Sequence, residues 1–236
     1  MSEAAGEADL AVVVAARNEA DLIAATVAAL RGAFPAAAIY VADDASEDGT
    51  AEVAMAAGAA IVSRARPHGK GANVSAAAEA ALGAERAPAI VLLCDGDLGA
   101  SAAALAPLVE AVRAGECDLA VASFSRRLGG GFGLALGFAR GAIRRLCGLR
   151  TEAPISGQRA MRVEVLRATL PFARGYGMEI GMTVDAVRAG YRVGEYELDL
   201  RHRGGGRDLR GFLHRGRQLA DFARVYASRR GGGGTV

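Results

Sequence analysis

At 236 residues the chain can bury a substantial core, and its three cysteines, Cys94, Cys117 and Cys147, form neither a disulfide framework nor a metal-spaced pair, as expected in a reducing cytoplasm. A formal net charge of +2 supplies no global field for nucleic acid. No run reaches the roughly 18 apolar residues of a membrane span, and residues 1–8 lack the basic start and apolar middle of a signal peptide.

Residues 10–15 are a short continuous apolar run, the pattern of a strand buried on both faces. The polar stretch Ala16-Arg17-Asn18-Glu19 ends it, and Leu22, Ile23, Val27 and Leu30 then recur at helical spacing. A second strand over 39–42 leaves through Asp43-Asp44-Ala45-Ser46-Glu47-Asp48-Gly49-Thr50 into a helix reaching about residue 57. A third strand over 59–63 precedes the basic loop Pro67-His68-Gly69-Lys70-Gly71 and an Ala-rich helix over 72–83. The fourth strand starts at Ile90 and ends in Asp95-Gly96-Asp97, followed by a helix near 101–113 and a strand over 119–122. Such alternation specifies an α/β fold, a mostly parallel central sheet with helices on both faces. Right-handed crossovers then put the polar loops at one sheet edge.

Beyond Ser123 the pattern loosens, with Arg126, Arg127, Arg140, Arg144, Arg145 and Arg150 among glycines and apolar residues. Leu136, Ala139, Ile143 and Leu146 have helical spacing, which suits either an amphipathic helix on an anionic membrane or an ordinary helix with a solvated basic face. A strand over 157–162, a helix over 178–189 and a strand over 192–200 follow. A Gly/Arg loop carrying His202 then leads into a basic helix over 208–227. The expected organisation is a single domain over 9–228, with a nucleotide-binding half (9–122) and an acceptor-binding half (123–228), between disordered ends at 1–8 and 229–236.

The chemistry concentrates in the first-half loops. If Asp95 and Asp97 continue the extended backbone, residues two apart point the same way, and two hard carboxylates suit Mg²⁺ or Mn²⁺. Gly96 would let the backbone approach the shared target. Asp-Gly is also ordinary turn chemistry. Asp43 is placed to accept hydrogen bonds from a base or ribose, or to cap the following helix. Lys70, between two glycines, is placed to reach phosphate oxygens or simply to face solvent.

Val12-Val13-Val14-Ala15-Ala16-Arg17-Asn18-Glu19, the Asp43–Thr50 stretch, Gly69-Lys70-Gly71 and Asp95-Gly96-Asp97 occur in the order and at the intervals of family 2 glycosyltransferases of the GT-A fold. The chain resembles that family, in particular its polyprenyl- and dolichyl-phosphate sugar transferases and its glucosyl-3-phosphoglycerate synthases. The resemblance implies that Ala15, Ala16, Asn18, Glu19, Asp43 and Asp44 hold the base and ribose of a UDP- or GDP-sugar. It implies that Lys70, Asp95 and Gly96 contact the nucleotide sugar, and that Asp97, with Asp95 and His202, holds Mg²⁺ or Mn²⁺. Asp97 and Glu179 would be catalytic, Glu179 through the segment Gly177-Met178-Glu179-Ile180-Gly181 on the acceptor side. Arg201 and Arg203 would meet the acceptor. Glu179 would also suit the first turn of a helix, where the dipole favours an acid.

The activity implied is metal-dependent transfer of a sugar to a phosphate-bearing acceptor, with a polyprenyl phosphate ahead of a small soluble acceptor such as a phosphoglycerate. Peripheral contact with an anionic membrane on its cytoplasmic face would follow from the lipid acceptor, and a homodimer is compatible with the chain. A nucleotidyltransferase is disfavoured because no Gly-rich, Arg-containing phosphate loop follows the first strand. A non-catalytic nucleotide-sugar sensor is the alternative outside enzymes.

Overall fold

The computed structural model describes residues 9–124, 133–200 and 221–230. Seven strands form one sheet: β1 (Leu10–Ala16), β2 (Ala38–Asp43), β3 (Ala60–Ser63), β4 (Ile90–Asp95), β5 (Leu119–Phe124), β6 (Arg159–Arg162) and β7 (Val193–Leu198), in the order β3-β2-β1-β4-β6-β5-β7. β1 runs parallel to β2 and β4, β2 to β3, and β5 to β7. β6 is antiparallel to both of its neighbours, β4 and β5.

β1 is apolar throughout because each of its faces is covered. Val12 and Val14 pack with Ile23, Val27 and Leu30 of α1 (Ala20–Ala33) and with Leu98, Leu105 and Leu108. Ala11 and Val13 face the opposite layer, built from α3 (Lys70–Leu82), α6 (Val163–Thr169) and α7 (Met178–Arg188). In α3 the contact residues are Val74, Ala77, Ala78 and Ala81, so short side chains bring this helix close to the sheet. The remaining helices are α2 (Thr50–Ala56), α4 (Ala106–Arg113), α5 (Gly133–Cys147) and α8 over 221–230.

Several sequence expectations change in detail. The stretch after Asp95 is a 3-10 helix, Gly96–Leu105, interrupted at Gly99, rather than a loop before a helix. Lys70 is the first residue of α3 and is not suspended in a flexible loop. α5 buries Ala139 and Ile143 against Ile180, Val184, Phe222 and Val225. Its apolar spacing therefore encodes packing within the protein, and Ile143 is not a membrane-facing residue. α8 extends two residues past the expected boundary at 228, where Arg229 forms an ion pair with Asp185 on α7.

Gly71 shows how tightly the start of α3 is seated. A Cβ added there would overlap the carbonyl oxygen of Ala173, in the turn that precedes α7. Gly71→Ala is expected to lower stability by about 1–3 kcal/mol, as other overpacked positions do. Gly83→Ala, at a helix end where the nearest atom lies 3.5 Å away, should be neutral or slightly stabilising. Urea unfolding of the two variants checks the contrast.

Candidate active site

Strand register brings the predicted carboxylates to one edge. Ala16 pairs with Asp43 across β1–β2, and Ala15 pairs with Asp95 across β1–β4. Both acids therefore leave the sheet at the C-terminal end of parallel strands, flanking the end of β1, where open α/β sheets bind ligands.

On the β2 side two loops brace each other. Asn18, held at φ 56°, donates its backbone N–H to Ser46 Oγ at 2.9 Å and accepts from Glu47 N–H through Oδ1 at 3.0 Å. Ala45 also has positive φ, 57°, an uncommon conformation for a residue with a Cβ and one that depends on its surroundings. Glu19 N–H donates to Thr50 Oγ1 at 2.9 Å. Asp43 is buried, its Oδ2 accepting from Ser63 Oγ (3.1 Å) and Ser46 N–H (3.3 Å), while its buried Oδ1 has no donor among the described residues. Asp44 accepts from the backbone N–H groups of His68 (2.8 Å) and Gly69 (3.1 Å), tying the β2 loop to the approach to α3. Asp43 is thus not the cap of α2. That helix starts after Gly49, and it is Asp48 whose Oδ1 accepts from Thr50 N–H at 3.1 Å.

On the β4 side the centre is Lys70. Its ammonium lies 2.7 Å from Asp95 Oδ1 and 3.1 Å from Glu179 Oε1. Burial alone would depress its proton affinity, but the two carboxylates outweigh burial and hold the amine above the ordinary lysine range. A folded-state value raised above the unfolded one contributes stability that is complete below the ordinary lysine value and disappears only at higher pH. Glu179 is 4% exposed in the first turn of α7, so its carboxylate serves as a partner of Lys70 besides facing the helix dipole.

The second oxygen of Asp95 is also engaged. Gln158 Nε2 donates to Oδ2 at 2.8 Å, and Gln158 Oε1 accepts from Asp95 N–H at 3.1 Å. Asp97 is half-buried in the first turn of the 3-10 helix. Because β4 ends at Asp95 and Asp97 lies in the 3-10 helix, the two acids are not alternate residues of one extended strand and do not share the side that extended spacing would give them. Gly96 has a different reason as well. A Cβ there would come within 3.2 Å of Ala15 O and of Ile23 Cδ1, so the close approach is to β1 and α1. Thr26 secures this turn by donating to Gly96 O (2.7 Å) and accepting from Gly99 N–H (2.8 Å).

Thr26, Gly157, Gln158 and Arg159 have roles that the sequence reading missed. Arg159 is fully buried and donates to Ser156 O (2.8 Å) and Thr183 Oγ1 (2.9 Å), fixing the segment that carries Gln158 against α7. Burial pulls its guanidinium down to about 10, against the opposing pull of Glu179 and Glu195, and it stays charged at neutral pH. Glu195 on β7 anchors the start of the same segment, accepting from Glu152 N–H (2.8 Å), Ala153 N–H (3.0 Å) and the Thr151 hydroxyl. The only local signal was Gly157-Gln158-Arg159 entering a strand, where a long polar side chain needs a partner. His202, Arg201 and Arg203 lie outside the described residues. Among the described residues no group of three His, Cys, Asp or Glu side chains is arranged to hold a metal ion.

A family model described as glycosyl transferase family 2 matches residues 11–170. An undecaprenyl-phosphate mannosyltransferase of Micrococcus luteus is 30% identical over 202 residues, covering 79% of this chain and 81% of that protein. Among solved structures, glucosyl-3-phosphoglycerate synthase from Mycobacterium tuberculosis with phosphoglyceric acid superposes with a TM-score of 0.75 at 27% identity, over 92% of this chain and 80% of that one. The same synthase with Mn²⁺, uridine-diphosphate-glucose and glycerol 3-phosphate gives 0.72 at 26% identity, again over 92% and 80%.

Removing the ammonium would leave two carboxylates facing each other, one of them buried. Lys70→Met is expected to cost about 1–3 kcal/mol in stability, the scale for an unsatisfied buried group. Adding Glu179→Gln should restore part of it. Denaturant melts of the single and double variants read the coupling.

Proposed function

This chain belongs to glycosyl transferase family 2, an enzyme family, and on that premise we propose that it transfers a sugar from a UDP- or GDP-sugar to a phosphate-bearing acceptor. The carrying observation is the Lys70–Asp95–Glu179 cluster at the C-terminal sheet edge, with Asp97 two residues beyond Asp95. The β1 and β2 loops would form the base and ribose side, where Asp43 Oδ1 has no donor among the described residues and a nucleobase or ribose would supply one. Lys70, already charged and aimed into the cluster, would exchange a carboxylate contact for a diphosphate oxygen. Glu179 lies across from Asp95, on the acceptor half, and would orient the incoming group.

The donor set fits a hard divalent cation. Asp97, in the half-buried turn after β4, would supply a carboxylate oxygen, and the diphosphate, water and His202 would supply further positions. Bound there, Mg²⁺ or Mn²⁺ would neutralise the departing diphosphate. Asp95 fits less well as a direct ligand because Lys70 and Gln158 already engage both of its oxygens. Its better role is toward the nucleotide sugar. A phosphate acceptor is ionised at neutral pH and requires no strong general base, which suits a site whose buried acid is neutralised by lysine.

For the acceptor we favour a polyprenyl phosphate over a soluble phosphoglycerate. With Ile143 buried, the outward face of α5 consists of Gly137, Phe138, Gly141, Arg144 and Arg145, which with Tyr226 of α8 line a groove of about 610 Å³. Phe138 is 39% exposed, and its ring meets Phe222 and Tyr226. Aromatic rings beside two exposed arginines suit an anionic membrane surface and would place the protein peripherally on it. No helix among the described residues is long and apolar enough to cross a membrane. The soluble reading draws on the synthase structures that hold phosphoglyceric acid.

Incubation with a panel of nucleotide sugars and Mn²⁺ should release nucleoside diphosphate, and pyrophosphate release would instead indicate nucleotidyl transfer. Asp97→Asn should abolish turnover while leaving the melting temperature close to wild type. Flotation with anionic liposomes should carry the protein at low salt and less of it at moderate salt. A protein that stays behind at both salts supports the soluble acceptor.

A further inference from the structure

Resting on the glycosyltransferase reading, we propose that Gln158 is a positioning residue: it fixes the Asp95 carboxylate from which that reaction is arranged, and Gly157 provides the space for the pair. The β4–β6 ladder ends with Leu93 opposite Arg159. One step farther, side-chain pairing replaces backbone pairing, and Gln158 closes a two-way contact with Asp95. Both atoms of the amide are specified, the NH₂ toward the carboxylate and the oxygen toward the N–H. A flipped amide would set oxygen against oxygen and N–H against N–H.

Gln158 is itself rigid. It is 1% exposed, its backbone oxygen accepts from Ala122 N–H of β5 at 2.9 Å, and the next residue is the fully buried Arg159. The terminal torsion of an aspartate is otherwise broad. Here Lys70 takes Oδ1 and Gln158 takes Oδ2, so the plane of the carboxylate is set from two sides. The amide does this without adding charge, which leaves Lys70 as the cation available for an incoming anion. Gly157 completes the arrangement. A Cβ there would lie 2.6 Å from Lys70 Nζ and 2.9 Å from Asp95 Oδ2, so any larger residue would push on both partners. Asn would be one methylene too short, Leu or Met would supply neither contact, and Glu would oppose Oδ2 with a second carboxylate.

The test is a double-mutant cycle read as kcat/KM for the active nucleotide sugar and as affinity for the nucleoside diphosphate it releases, UDP or GDP, by calorimetry with Mn²⁺. Gln158→Met, similar in length and volume, should lower both by about 10- to 150-fold, the scale of a hydrogen bond to a charged group. In the Asp95→Ala background the same substitution should change affinity for that nucleoside diphosphate by less than about threefold, because Gln158 acts through Asp95. Losses that multiply across the two sites would indicate general disruption and overturn the proposal. If Gln158→Met does not fold, Gly157→Ala carries the test. It should fold with a modestly lowered melting temperature, since the atoms displaced are the side-chain ends of Lys70 and Asp95, and lose activity, and wild-type activity in it overturns the proposal. A wild-type protein that binds neither UDP nor GDP and releases nucleoside diphosphate from no nucleotide sugar overturns the glycosyltransferase reading and this inference with it. Wild-type turnover with unaltered variants overturns only the role of Gln158.

Discussion

Two carboxylates from distant parts of the chain converge on one ammonium, and much of the structure serves to make that convergence stable. Asp95 ends a central strand, and Glu179 opens a late helix. Brought together without Lys70, they would repel in a partly desolvated setting. Lys70 answers this only because α3 begins at that residue and because Gly71 lets the helix press against the turn before α7. The Ala-rich face of α3 has the same consequence, since a helix with larger residues would stand farther from the sheet and withdraw its first residue. Packing and electrostatics are therefore coupled: the small residues that place the helix also place the charge.

The β1 and β2 loops solve a different problem. They contain two non-glycine residues at positive φ, Asn18 and Ala45, and each lies in a network of backbone-to-side-chain bonds that spans both loops. Such conformations are uncommon unless neighbours enforce them. A preformed cradle of this kind loses less conformational freedom on binding than a mobile loop would. Asp43 Oδ1, which has no donor among the described residues, lies within this braced region, at the end of β2.

The first half of the fold was legible because its signals are local. Continuous apolar runs marked β1, β2 and β4, and the polar residues following them marked one sheet edge. Lys70, Asp95 and Glu179 were each selected from the sequence, but their mutual contact was not, because it depends on how a late turn packs against α3. Gln158 and Arg159 were missed for a related reason: a strand was legible over 157–162, but its antiparallel place between β4 and β5 has no signature in its own residues. The spacing of Leu136, Ala139, Ile143 and Leu146 correctly marked a helix, while its apolar stripe faces α7 and α8. Periodicity identifies a buried stripe without identifying what buries it.

The insertion of β6 also bears on how the chain reaches its native state. β4 lies between β1, which precedes it, and β6, which is separated from it by more than sixty residues of chain. Until β6 arrives, one long edge of β4 has unpaired backbone donors and acceptors, an invitation to pairing with another chain. Such long-range closure is slow relative to local helix formation, and it exposes the nascent sheet for the interval. A fragment ending at β5 would contain the loops that follow β1, β2 and β4 yet present that open edge, without the partner that holds Asp95. The two halves of the sequence are thus not separable modules: the early half supplies the acids, and the late half both seals the sheet and aims one of them.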